Sequence, residues 1–125
     1  MLLIQTKLGL SNIEGIGLFA DQFVKKGTLI WQFTEGVDII ISEKIISTLS
    51  TIEQNFIKKY AYNDKKTNFL ILCTDNARFM NHSFYPNCYS IYTNDIEYTY
   101  ANISINPGKE LTINYNDFEL NSVDF

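Results

Sequence analysis

A chain of 125 residues has the length of one domain, and a domain of this size buries roughly two thirds of its unfolded surface, enough for a core without metal or disulfide staples. Apolar residues make up 46% and charged residues 19%, which excludes a disordered chain, and the 14% aromatic share favours strands and a ring-lined cleft. The formal charge of -4, with only short basic pairs such as Lys25-Lys26, Lys58-Lys59 and Lys65-Lys66, argues against direct nucleic-acid binding and suits either a lysine-rich partner or plain solubility.

The start, Met1-Leu2-Leu3-Ile4-Gln5, is too short an apolar run for a secretory signal, and Lys7 interrupts it. No later stretch is long enough to span a bilayer. Cys73 and Cys88 do not make the framework of a secreted disulfide domain. The expected setting is intracellular, cytoplasmic if the source is bacterial. Residues 2–8 read as a first strand, Leu10 to Gly17 as a turn-rich stretch, and Leu18-Phe19-Ala20 as the start of the next strand. Lys26-Gly27 turns into a β-forming run from Thr28 to Phe33, and Val37 to Ile41 is a further short strand.

The middle of the chain has a helical period. Ile45, Leu49, Ile52, Phe56 and Tyr60 fall at steps of three or four and share one face. Ser42 can cap this segment, while Ser50-Thr51-Ile52-Glu53 has capping-box spacing, so two short helices fit as well as one long helix over a helical insert of about 42–62. After the polar turn Asn63 to Lys66, Asn68 to Thr74 reads as a buried strand. Tyr89 to Tyr92 and Ile96 to Ile103 form a hairpin through Thr93-Asn94-Asp95. Pro107-Gly108 aims a last strand, Glu110 to Ile113, ahead of a short tail, 116–125. Helices are too few for parallel crossovers, so the expectation is a single mostly β domain (β+α) over 1–125.

Chemistry concentrates in three segments. The first is Gly15-Ile16-Gly17-Leu18-Phe19-Ala20. Its glycines let main chain approach a ligand closely; residue 20 is Ala rather than the third Gly, and the surroundings are not a βαβ unit, so a dinucleotide fold is not expected. The second is Arg78-Phe79-Met80-Asn81-His82-Ser83-Phe84-Tyr85-Pro86-Asn87-Cys88, which holds the chain's single histidine. A His-based metal site is thereby nearly excluded, and a Ser-His-Asp relay would have to use that one ring. The third is Glu110-Leu111-Thr112-Ile113-Asn114-Tyr115.

In this order the three segments resemble the signature of SET-domain protein lysine methyltransferases: a G-x-G turn, an R-F-x-N-H-S-x-x-P-N stretch and an E-L-T-x-x-Y end. The resemblance covers nearly the whole chain and is nearest to the short bacterial or viral members. It implies a fold of several short sheets, in which the Pro86-Asn87 region and the tyrosine segment thread past each other in a knot-like C-terminal arrangement. It implies S-adenosylmethionine as cofactor and methyl transfer to a lysine side chain of a protein substrate, such as a histone or histone-like protein. Gly15, Ile16, Gly17, Leu18, Arg78, Phe79, Asn81 and His82 would hold the cofactor, and Tyr115 would be the catalytic residue beside the methyl and the target nitrogen. Tyr60, Ile113 and Phe118 are candidates for the lysine channel, with Tyr62 nearby, although Tyr60 fits equally well as the end of the helix face.

The chain also departs from the pattern. Larger members bind zinc with a cysteine-rich tail and the cysteine of the P-N-C triplet. Cys88 holds that place here, but no cysteine follows it, so no metal is expected. That tail normally closes the lysine channel; Phe118, Phe125 or a second subunit would have to do so, which leaves a homodimer open. Ile113 stands where the family has a Phe or Tyr that influences product multiplicity. Trp31-Gln32-Phe33-Thr34-Glu35-Gly36 stands where E-Y-x-G is common, and Phe33 lacks that hydroxyl. The expected partner is a lysine-containing protein, with neither nucleic acid nor membrane. The alternative is a catalytically weak SET-fold module that binds cofactor or a protein partner without turnover. An unrelated β-rich interaction protein is the third reading.

Overall fold

The structure, a computed structural model, describes residues 1–120. The Phe125 candidate therefore lies outside the described residues. Three small sheets make up the described chain. The first is a hairpin of β1 (Thr6–Leu10) and β2 (Ile16–Ala20), in register Leu8 to Leu18. Its turn is closed by Ser11, whose N–H donates to the Gly15 carbonyl at 2.8 Å and whose Oγ accepts from the Ile13 N–H at 2.9 Å. Gly15 sits at φ +49°, a conformation that favours glycine. The first strand thus runs later than the expected 2–8. The Ser11 turn sets the hairpin register, while Leu2 leaves to bridge Trp31 instead.

The main sheet is built on β8 (Cys88–Thr93) and β9 (Ile96–Ala101). Asn94 and Asp95 both have positive φ, 51° and 61°, the twist that a two-residue hairpin turn needs. Outside β9 lies β3 (Leu29–Gln32), antiparallel with a bulge between Leu29 and Trp31. A third sheet has β6 (Leu70–Leu72) between β4 (Ile39–Ile41) and β5 (Tyr62–Asn63). The largest fully buried side chains are Leu18, Val24, Ile30, Cys88 and Leu111, and they anchor one core beneath the first two sheets.

On the far side of β8 the sheet continues with β10 (Thr112–Ile113) and then β7 (Asn81–His82), and both new pairings are parallel. The absence of parallel pairs expected from the few helices is therefore corrected. The chain makes these pairs by inserting β10 between the two strands joined by the Ser83–Asn87 loop, with no helical crossover. This is the knot-like arrangement. Asn87 buckles it: its Nδ2 donates to the Glu110 carbonyl at 2.8 Å and its Oδ1 accepts from the Thr112 N–H at 2.9 Å.

The helical insert is two short helices, α1 (Glu43–Ile46) and α2 (Thr51–Tyr60). The capping box at Ser50 and Glu53 forms, with Glu53 Oε2 accepting from the Ser50 N–H at 2.7 Å. The apolar stripe expected on one face is not the buried face. Ile52 is 82% exposed and Ile45 54%, whereas Ile46 is buried with Ala61 and Leu70. Restarting the helix at Ser50 rotates the second segment against the first, so one continuous period does not survive.

Candidate active site

The second motif opens on a 3-10 turn, Asn76–Phe79, capped by Asp75, and then enters β7. Its Asn81 faces the glycine turn. Asn81 Nδ2 lies within donating distance of Ser11 Oγ (3.1 Å), the Glu14 carbonyl (3.1 Å) and Glu110 Oε1 (3.0 Å). One amide therefore ties the first, second and third motifs together. Glu110, at the head of the third motif, lies across Gly17: a Cβ there would meet Glu110 Oε1 at 2.1 Å and Cδ at 2.9 Å. Gly17 is thus required for space, while Gly15 is required for its backbone angle. Gly17→Ala is expected to displace the Glu110 carboxylate and cost about 1–3 kcal/mol of stability. Chemical denaturation checks this, and Glu110→Ala in the same chain is expected to return part of the loss.

His82 joins the motif to Tyr115. The Tyr115 N–H donates to His82 Nδ1 at 3.1 Å, and the two rings meet edge-on with centroids 5.1 Å apart. With Nδ1 accepting, the neutral ring carries its proton on Nε2. The Tyr115 hydroxyl donates to the Met80 carbonyl at 2.8 Å. Burial, aided by Glu119 and Glu14, pushes the Tyr115 phenol up to about 12, so it stays protonated at neutral pH and cannot act as a base.

A cavity of about 380 Å³ opens beside this tyrosine. Five expected site residues line it: Tyr60, Arg78, Ile113, Tyr115 and Phe118. The Phe118 ring lies edge-on to Tyr115 (5.7 Å) and to Tyr62 (4.9 Å), and its carbonyl accepts from the Lys65 N–H at 2.8 Å. The start of the tail is thereby packed into the cavity wall. Tyr60, the last residue of α2, serves both readings: it ends the helix and lines the cavity.

Gly15, Ile16, Gly17, Leu18, Phe79, Asn81 and His82 lie outside that lining. Ile16 is 44% exposed and borders the Asn81 cluster, so its side chain is open to a ligand. Leu18 has no exposed surface; its side chain is core and its carbonyl accepts from the Leu111 N–H at 2.7 Å. The Leu18 side chain is core because the inward face of β2 meets the third motif. Phe79 packs on Tyr60 at 5.5 Å, with the Arg78 guanidinium 4.8 Å from its ring. Arg78 Nε is buried without a partner, a free donor suited to an anionic group.

Several residues of the site had no role assigned from sequence. Glu110 and the Met80 carbonyl were in the motifs but unassigned. Trp31 and Glu97 also line the cavity, together with Tyr62, which the sequence had placed near the channel. Glu97 Oε1 accepts from the Tyr62 hydroxyl at 3.0 Å and Oε2 from Ser90 Oγ at 2.7 Å. Its signal was available: Glu97, Thr99 and Ala101 alternate on the inward face of β9, where apolar residues are usual. Burial pushes Glu97 up to about 7 from near 4.5. A raised carboxyl contributes stability that is full below its unfolded value, near 4.5, and lost as pH rises through about 7. Melting curves of the wild type should therefore fall relative to Glu97→Gln between about pH 5 and 8.

Among the described residues no helix is long and apolar enough to cross a membrane, and no cluster of three or more His, Cys, Asp or Glu could hold a metal. The SET-domain family model matches residues 15–116. No curated protein matches the sequence. Solved structures share the fold. A Plasmodium falciparum protein provisionally described as a histone methyltransferase is 23% identical with a TM-score of 0.63, over 91% of this chain and 95% of that one. A chain of the Polycomb Repressive Complex 2 of Chaetomium thermophilum, in an autoinhibited conformation bound to S-adenosylmethionine, is 23% identical with a TM-score of 0.67. That match covers 94% of this chain and 16% of the other. With the family model matching most of its length, and the glycine turn, the Asn-His strand and the closing tyrosine joined through Asn81 and His82, this chain belongs to the SET-domain family.

Proposed function

We propose that this protein transfers methyl groups from S-adenosylmethionine to a lysine side chain of a protein substrate. The observation that carries the reading is the Tyr115 hydroxyl held on the Met80 carbonyl at 2.8 Å, at the edge of a cavity shaped by aromatic rings. The described residues fit the cofactor. The unpaired Arg78 Nε suits its carboxylate, and the exposed Ile16 and the Phe84 ring, 4.6 Å from His82, offer it apolar surface. When bound, S-adenosylmethionine supplies an activated methyl on a sulfonium.

The protein's own work is positioning and desolvation. Tyr115, protonated and fixed by Met80, His82 and Phe118, orients the amine. The Met80 carbonyl is an acceptor at the same point. The rings of Tyr60, Tyr62 and Phe118 exclude water from the amine's stem. Deprotonating a free lysine, with a pKa of about 10.4, costs about 4–5 kcal/mol near neutral pH, and burial lowers that cost. The structural neighbours, a protein provisionally described as a histone methyltransferase and an S-adenosylmethionine-bound Polycomb complex, support a histone-like substrate. The acidic balance of this chain suits such a basic partner.

The test is calorimetric titration with S-adenosylhomocysteine. The wild type should bind, and Asn81→Ala should bind about tenfold more weakly, because the amide that holds the glycine turn is gone. A wild type that does not bind would end this reading.

A further inference from the structure

We propose that Glu97 accepts the proton that the target ammonium must lose before methyl transfer, with the Tyr62 hydroxyl carrying it across the cavity. The proposal rests on the methyl-transfer reading above and adds a residue to it. Placement is the first support. Glu97, Tyr62 and Tyr115 line one cavity, and Tyr62 donates to Glu97 Oε1 at 3.0 Å. Phe118 touches the rings of both tyrosines, so Tyr115 and Tyr62 share one aromatic wall of the cavity.

Charge is the second support. The ion pairs seen among the described residues involve Asp38 and Asp21, and none involves Glu97. A buried carboxyl without a cation needs a reason. The titratable groups that act on it or share its hydrogen bonds are Tyr62 and Asp64 around β5, Cys73 after β6, Tyr92 on β8 and Asp117 in the closing turn. Burial keeps Tyr62, Cys73 and Tyr92 neutral near pH 7, and the carboxylates Asp64 and Asp117 are the neighbours that favour a guest bringing positive charge. Lys58, Lys59 and Arg78 share the cavity lining.

In the step itself, one N–H bond of the ammonium breaks and its electron pair stays on nitrogen. The proton passes to the Tyr62 oxygen as the Tyr62 O–H proton moves to Glu97 Oε1, leaving a neutral amine and a carboxylic acid. Two opposite charges in a buried space become two neutral groups, the arrangement that low dielectric favours. With Glu97 pushed up to about 7, the carboxyl can take the proton and release it to solvent between turnovers.

The experiment is the pH profile of single-turnover methyl transfer from S-adenosylmethionine to a lysine-rich histone mixture. Glu97→Gln should lose about tenfold or more near neutral pH and approach the wild type as pH nears the lysine value of about 10.4. Tyr62→Phe should show the same pH-dependent loss, and it decides the matter if Glu97→Gln does not fold. S-adenosylhomocysteine affinity should stay unchanged in both. An unchanged rate, or a loss of equal size at every pH, overturns the proton-acceptor role. A wild type that binds S-adenosylhomocysteine but methylates no lysine overturns the methyl-transfer reading itself, and this proposal with it.

Discussion

Tyr115→Phe is expected to lower single-turnover methyl transfer about a hundredfold or more, while S-adenosylhomocysteine affinity stays within about threefold. The substitution removes one oxygen and little else. The ring keeps its contacts with His82 and Phe118, and the main-chain bond from the Tyr115 N–H to His82 Nδ1 is untouched. What disappears is the hydroxyl on the Met80 carbonyl, the polar point proposed to orient the amine. Methyl transfer from a sulfonium needs in-line geometry more than proton chemistry, so the loss should appear in the chemical step and spare cofactor binding. Rapid quench with labelled cofactor measures the first quantity and calorimetry the second. Near-normal turnover would remove Tyr115 from the mechanism, and an equal fall in both would make its role structural.

Asn87→Ala is expected to cost about 2–4 kcal/mol of folding stability, the second large effect. Asn87 holds β10 by two bonds of opposite sense, donating to the Glu110 carbonyl and accepting from the Thr112 N–H. Truncation leaves both main-chain groups short of a partner at the point where the last strand is inserted. Glu110 and Thr112 flank the path to Ile113 and Tyr115, so the change should also weaken the site. Guanidinium unfolding gives the stability change. A loss under about 0.5 kcal/mol, the range of an ordinary surface substitution, would show that the strand is held by its ladder alone.

The places where the sequence reading and the structure part have local causes. The Ile45-to-Tyr60 stripe was a sound period on paper, yet Ser50 caps a new helix and turns the stripe outward. The parallel pairs around β10 are two residues long or less, below what any run of apolar residues can announce. Leu18 belonged to the cofactor motif by position, but its side chain is core. Glu97 was visible only as a polar residue on the inward face of a strand.

The sequence by itself determined the family and the order of the chemical segments. A glycine required for space, an Asn-His pair and a closing tyrosine are constraints that each act on one or two residues, and such constraints are written locally. The mostly β character and the hairpin turning at Thr93-Asn94-Asp95 were readable for the same reason, since alternation and turn preference are short-range. Only the tertiary structure decided that Asn81 ties all three segments together, that Glu110 occupies the space left by Gly17, and that Tyr62, Trp31 and Glu97 share a cavity with Tyr115. Those relations join residues tens of positions apart through the inserted last strand, and no local preference of either partner specifies them.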